Sequence, residues 1–308
     1  MNHRLWNLMV LLIFSMLCCP ASAETNSIED AAFDPEEFFL HQGPLPSNPE
    51  ANFVLDEPLL FHFDEVDVVV RRLAADPCVW YTGVECRMNM ENTVIRFWDG
   101  IVSQTPITYE DMQISNQQPL CFVSVVPYYD LQFGVNSFDF AVENNTVYVV
   151  QEAKYSRHGY DRLMSSMKNA DKETINVRFQ VDLILCSKGD IQNKTYEFSI
   201  ACPVQPVHDY AMLQCPRSYP EYNEEIEWFE LFQTSLDVHL YLNLHRIDYS
   251  VKPYWSIAII DREGNAAGQY HVGIPNRLYY LICDPETDRV VYQETWKREG
   301  NMYISAIK

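Results

Sequence analysis

Val177-Arg178-Phe179-Gln180-Val181-Asp182-Leu183-Ile184-Leu185-Cys186, with turn residues over 189–194 and then Tyr196-Glu197-Phe198-Ser199-Ile200, decides the fold class. The runs 177–185 and 196–200 are rich in β-branched and aromatic residues and are bounded by turn residues, the signal of strands. The intervening Gly189 and polar residues close them into a hairpin. Similar β-branched and aromatic runs occur at 122–126, 138–142 and 147–151, the last two joined by Asn144-Asn145. They recur at 236–244, 255–260, 269–272, 278–283, 290–294 and 302–307, with turns at 261–265 and 284–288. The expected class is α+β, mainly β: an antiparallel sandwich-like body, or two small β domains, with two or three helices.

Three segments read as helix. Over 64–75, Asp64, Glu65 and Asp67 lead, Val66, Val69, Val70 and Leu73 recur at helical spacing, Arg71 and Arg72 end the run, and Pro77 follows. The arginine pair reads as terminal capping charge in preference to a processing site. A second helix over 160–171 carries Tyr160, Leu163, Met164 and Met167 on one stripe, and a third over 223–234 carries Ile226, Phe229 and Phe232. The body divides into a β-rich region at 59–215 and a second one, or the other half of one domain, at 216–308. Leu183-Ile184-Leu185-Cys186 and Tyr280-Leu281-Ile282-Cys283 each precede a hairpin, which raises an internal duplication against the alternative that meanders look alike.

Residues 1–23 read as a cleaved secretory signal: a short basic start with Arg4, an apolar run from Leu5 to Leu17, and Ala21-Ser22-Ala23 as the cleavage site. That run is short of the ~20 apolar residues a membrane span needs, and no apolar tail for a lipid anchor is evident at the other end. The expectation is export to an oxidising, extracellular setting, with no membrane span. The formal charge of −21 in 308 residues disfavours nucleic acid as a partner. Twelve acidic residues and no Lys or Arg fall within 24–67. Residues 24–58, with Gly43-Pro44-Leu45-Pro46-Ser47-Asn48-Pro49, read as a flexible acidic arm, either a solubilising tail, a pro-segment, or a strap for a basic surface. One such surface is the island Lys154, Arg157, Arg162, Lys168 and Lys172, which is the solvated face of an amphipathic helix or an anion-binding site.

Seven cysteines follow the signal: Cys78, Cys86, Cys121, Cys186, Cys202, Cys215 and Cys283. Three disulfides and one unpaired thiol are the simplest arrangement, with local bridges Cys78–Cys86 and Cys202–Cys215 and a disulfide-linked dimer through the odd cysteine as consequences. The sequons at Asn144 and Asn193 fall at hairpin turns and read as glycosylation sites. No zinc spacing, nucleophile elbow, HExxH or glycine-rich phosphate loop is present, so no metal and no cofactor are expected. The best polar set lies on the 236–244 strand, where alternation places Asp237, His239, Tyr241, Asn243 and His245 on one face. Asp237 and His239 are the weak catalytic candidates there, against the plainer reading of a solvent face. The expected function is extracellular binding of a protein or glycan through exposed aromatic residues. The alternatives are a secreted hydrolase with a non-local site and a β-barrel carrier of a small apolar ligand.

Overall fold

The computed structural model describes residues 33–99, 107–128, 135–154, 174–250, 255–260, 273–284, 286–287 and 289–305. The signal at 1–23 and the basic helix at 160–171 lie outside them, as do Arg157, Arg162, Lys168 and Lys172. Two helices are described, α1 (Pro35–His41) and α2 (Tyr109–Gln117). The N-terminal strands are β1 (Val54–His62), β2 (Val66–Ala75), β3 (Val79–Met88), β4 (Val94–Phe97), β5 (Leu120–Tyr128), β6 (Val135–Glu143), β7 (Thr146–Lys154), β8 (Thr174–Ser187) and β9 (Asp190–Pro203). The C-terminal strands are β10 (Asp209–Leu213), β11 (Arg217–Tyr219), β12 (Glu224–Gln233), β13 (Val238–Arg246), β14 (Trp255–Ile260), β15 (Arg277–Cys283), β16 (Val290–Glu299) and β17 (Met302–Ser305). The protein is therefore mainly β, as its β-branched and aromatic runs predict.

Three sheets result. One has the order β1-β2-β3-β7-β6, a second β4-β5-β8-β9, and the third β11-β12-β10-β17-β16-β15-β14, with β13 on the other side of β12. Pairing is antiparallel except between β4 and β5 and between β10 and β17. The 177–186 stretch forms β8, whose alternating residues Val177, Phe179, Val181 and Leu183 are buried while Arg178 is exposed. They share one core with Val66, Val68 and Val70 of β2 and Val147 and Val149 of β7, so the first two sheets bury their faces together. Aromatic rows close both margins of that core. Phe63 stacks on Tyr196 and Phe61 on Phe198 at one side, and Phe97 stacks on Phe140 at the other.

Two of the expected helices are strands, and one physical cause explains both. In β2 the residues packed in the shared core are Val66, Val68, Val70, Leu73 and Ala75. The step from 70 to 73 spans an irregularity between Val70 and Arg72. In β12 the core residues are Ile226, Phe229 and Leu231, with an irregularity between Ile226 and Trp228. A β-bulge adds one residue to a period-two stripe and so turns one spacing of two into three, which imitates a helix over a short window. Conversely, α2 was not expected, although Thr108 and Asp111 form a capping box at its start: the Thr108 Oγ1 accepts from the Asp111 amide, and the Asp111 carboxylate accepts from the Thr108 amide at 2.8 Å.

From Pro35 onward, the acidic segment is not a free arm. Its α1 helix buries Phe38 and Phe39 against Tyr148, while Glu36 and Glu37 stay in water. Buried Arg72 of β2 donates to the carbonyls of Phe38, Phe39, Gln42 and Pro44, so its guanidinium caps the C-terminal end of α1. Two glycines make this docking possible. Gly43 has φ of +70° and lies so close to Val150 that a β-carbon would collide with it. At Gly83, directly across from Arg72, a β-carbon would come within 2.8 Å of the arginine side chain. The segment reads as a tail because it is acidic, lacks Lys and Arg and is rich in Pro and Asn; the two phenylalanines that anchor it are adjacent and have no periodicity to betray them.

Candidate functional site

Two tight turns meet where the C-terminal sheet joins the N-terminal half. The first, Asp76-Pro77-Cys78-Val79, links β2 to β3. The Asp76 Oδ1 accepts from the amides of Cys78 at 2.8 Å and Val79 at 3.0 Å, and the Asp76 amide donates to the Val79 carbonyl at 2.9 Å. An aspartate can fold the chain back onto its own backbone in this way, and the following proline suits the turn. The second turn, 234–237, links β12 to β13: Thr234 Oγ1 accepts from the amides of Leu236 and Asp237, both at 3.1 Å.

The two turns interlock through their side chains. Thr234 Oγ1 donates to Asp76 Oδ2 at 2.8 Å, and Tyr81 of β3 donates its hydroxyl to Asp237 Oδ2 at 2.9 Å. The N-terminal segment joins the same place, where the Ser47 amide donates to Asp237 Oδ1 at 2.7 Å and Asn48 bonds the carbonyls of Ser235 and Leu236. His239 of β13 completes the cluster, its Nε2 2.6 Å from Asp76 Oδ2. Around this lattice pack Ala74, Val79, Tyr81 and Leu236.

This arrangement corrects the reading of the β13 polar face. Asp237 and His239 point into the junction, not into solvent, because the 76–81 segment covers them; Asp76 is fully buried and the His239 side chain is 14% exposed. Nor do they act as a pair, since Asp237 serves Ser47 and Tyr81 while His239 takes the carboxylate of Asp76. Asn243 and His245, farther along β13, meet Glu227 and Glu225 instead. Burial opposes charge on His239 most strongly, but the Asp76 carboxylate and the Cys78 sulfur beside it lift its pKa well above the usual histidine range. Burial, then the Asp237 charge, pushes the Tyr81 phenol upward, so it remains a donor. Asp76, Cys78 and His239 each offer one ligand atom, all within 4.8 Å of one another, and are the group among the described residues whose chemistry suits a metal ion. Asp76 went unread as a site residue, and Cys78 was read only as a disulfide partner, because Pro77 looked like a helix stop and because 161 positions separate Cys78 from His239.

No disulfide joins the cysteines of the described structure. Cys78 and Cys86 stand at opposite ends of one extended run, roughly 25 Å apart at the rise of a strand, whereas a bridge needs α-carbons within about 7 Å. The local loop between them does not form. Neither does Cys202–Cys215: both are free thiols, Cys202 buried in the shared core and Cys215 exposed. Cys86, Cys121 and Cys202 behave as small apolar core residues, and burial pushes the thiols of Cys121 and Cys202 up to about 12. Cys186 faces the opposite side of β8 from that core, with Leu120 and Phe122, and Cys283 ends β15 in a buried position. Asn144 is exposed at the tip of the β6–β7 hairpin, where it and Asn145 both adopt positive φ. Asn193 is also exposed but lies within β9, since the β8–β9 turn is confined to Lys188 and Gly189. Lys154, the one member of the basic island within the described residues, ends β7 opposite Val79.

No family model matches the chain, and no curated protein matches it in sequence. Among solved structures, the crystal structure of the conserved domain protein from Bacillus anthracis aligns over 88% of this chain and 87% of that one, at 10% identity and a TM-score of 0.42. That likeness is too remote to bear on fold or function. Among the described residues no helix is long and apolar enough to cross a membrane.

Proposed function

We propose that the chain is an exported, N-glycosylated binding protein that takes an extended segment of a partner protein along the β6 margin of its N-terminal half. The observation that carries this reading is an exposed aromatic cluster. Phe138 and Phe140 of β6 are 38% and 46% exposed, and Phe97 of β4 stacks on Phe140 at 4.4 Å between ring centres. Both strands are the end strands of their sheets. Apolar rings beside a terminal strand suit peptide addition, in which backbone hydrogen bonds supply affinity and the rings supply side-chain contacts. The two N-terminal sheets serve as a sandwich-like scaffold in this reading, the glycans occupy Asn144 and Asn193, and a disulfide-linked dimer forms through exposed Cys215.

Binding is favoured over hydrolysis because Asp237 and His239 spend their polar atoms on the junction of the two halves. It is favoured over carriage of an apolar ligand because Phe179, Trp80 and the valines of β2 fill the space between the two sheets. The test is to secrete the full chain from eukaryotic cells with its own leader, cross-link in the medium and map the linked peptides. Cross-links should cluster on β4 and β6 and vanish in F138S/F140S at unchanged melting temperature. Unchanged cross-linking in that double variant overturns the reading, as does retention of the chain inside the cell.

A further inference from the structure

The geometry points to a zinc-type divalent metal site formed by Asp76, Cys78 and His239 at the junction of the two β halves. One carboxylate oxygen, one sulfur and one ring nitrogen lie mutually within 4.8 Å. That is the spread from which small side-chain movements bring three donors to ~2.0–2.3 Å from a single ion. The donor types are those that zinc accepts together, a thiolate, an imidazole and a carboxylate. Their charges also fit a buried location. One thiolate and one carboxylate balance a dication, with the imidazole neutral, so the loaded site would bury no net charge.

The surroundings hold the ligands as a metal site requires. Asp76 is fixed through its Oδ1 by two backbone amides, leaving Oδ2 to the site, and Thr234 Oγ1 bonds that same Oδ2 at 2.8 Å. Such outer hydrogen bonds orient ligands and contribute to affinity. The 2.6 Å contact between His239 Nε2 and Asp76 Oδ2 is the bond the ion would replace. Binding would displace the thiol proton and any proton held between imidazole and carboxylate, and would form three protein–metal bonds with no change of oxidation state. Because Asp76 and Cys78 precede β3 while His239 belongs to β13, the ion would join the two halves directly.

The experiment uses the full chain after removal of metal with a chelator. Zinc titrated against a chromophoric competitor should bind at one equivalent per chain. Cobalt in its place should give the visible bands of a tetrahedral site, a water completing the three protein donors, together with a thiolate-to-cobalt charge-transfer band. C78S and H239N should abolish the equivalent, whereas C215S, which alters the exposed cysteine, should keep it. T234A, which spares the three ligands, should weaken binding about 10–100-fold, and T234S should restore it. The cobalt spectrum is read on the unaltered chain, so misfolding of a variant does not decide the outcome. A cobalt spectrum without a thiolate band, or zinc stoichiometry well below one, overturns the assignment. So does an equivalent lost in C215S but retained in C78S.

Discussion

The two halves of the molecule solve the problem of a β interior differently. The core shared by the first two sheets is built from Val66, Val68, Val70, Val123, Val125, Val177, Val181 and their like, with Phe179 and Trp80 as its large members. The core of the C-terminal sheet sets Tyr219, Tyr280, Tyr303, Trp296 and Phe229 among aliphatic residues such as Ile226, Leu231, Leu278 and Ile282. Tyr280 stacks on Trp296 at 5.4 Å with ring planes 7° apart, and Tyr219 stacks on Tyr280 at 5.3 Å. Tyrosines bring hydroxyls inside, and the sheet supplies buried carboxylates to receive them: Tyr219 donates to Glu294 at 2.6 Å and Tyr280 to Glu224 at 2.7 Å. The first half keeps its buried cation, Arg72, on the far side of β2 beneath α1. An aliphatic core is cohesive in any direction, whereas an aromatic and carboxylate core is cohesive only while its bonds are made.

The largest expected effect tests the aromatic core. Trp296 is fully buried between Tyr280 and Phe229. Trp296→Ala should cost about 3–5 kcal/mol in denaturant unfolding, against about 0.5–1.5 kcal/mol for Ile175→Val in the aliphatic core. A loss no larger than that of a single buried methyl would show that the Trp296 stack contributes little to this core, and the contrast fails.

Next comes the buried cation of the first half. Arg72→Met should destabilise by about 3 kcal/mol, because it removes the guanidinium that donates to several carbonyls at the end of α1, and should expose the α1 amides to hydrogen exchange. Gly83→Ala should cost about 1–3 kcal/mol by crowding the same side chain. The sharper measurement is the double variant. If crowding against the outer part of Arg72 is the cause, Gly83→Ala should cost less in an Arg72→Ala background, which removes Cγ at 2.8 Å and Cδ at 2.9 Å from the added methyl but keeps Cβ at 2.9 Å. Full additivity would show that the clash lies with that Cβ or with the backbone instead.

A smaller perturbation separates directional from non-directional cohesion. Tyr219→Phe deletes one oxygen and leaves the ring, yet leaves buried Glu294 with Tyr292 and Arg217 at 3.4 Å as its partners. A loss of about 1–3 kcal/mol is expected, at least equal to the cost of deleting a whole methyl group with Ile175→Val. A loss near zero would mean that water replaces the hydroxyl and that this carboxylate is less tightly enclosed than its 4% side-chain exposure suggests.

The same contrast explains what was legible in the sequence. The period of two in 177–183 is visible because the aliphatic core reads this strand from one face, until Ile184 and Cys186 pack in a second cluster on the other. In 64–75 and 223–234 a single bulged residue changes the spacing, and the apolar pattern then satisfies a helix as well as a strand. The partners of Tyr219 and Tyr280 are invisible for another reason: Glu294 is 75 positions from Tyr219, and no local rule couples them. The junction cluster shares this property. Asp237 and His239 stood out because they alternate on one strand, but Asp76, Cys78 and Tyr81, which give them their bonds, become neighbours only when β13 meets the turn before β3.

The smallest effect concerns pH and the sign of one buried carboxylate. Burial raises Glu224 above the ordinary glutamate value of 4.5, partly offset by the hydroxyl of Tyr280. A carboxyl whose pKa is higher in the folded than the unfolded chain holds its proton more tightly when folded. As pH rises from about 4.5 through that raised value, the folded state binds more protons than the unfolded state and stability falls. Glu224→Gln keeps an oxygen to accept from Tyr280 and removes the ionisation, so its unfolding midpoint should be flatter across this window and should gain on the wild type as pH rises. Asp209, held below the usual aspartate range by its two-pronged contact with Arg298 at 2.5 and 2.7 Å, works in the opposite sense. Its contribution is present at neutral pH and is lost as acidification carries the solution down through its folded pKa, so Asp209→Asn should flatten only the acid limb below about 3.8. Parallel pH profiles for Glu224→Gln and the wild type would show that the tyrosine hydroxyl fully compensates burial, and the second core would then be as indifferent to charge as the first.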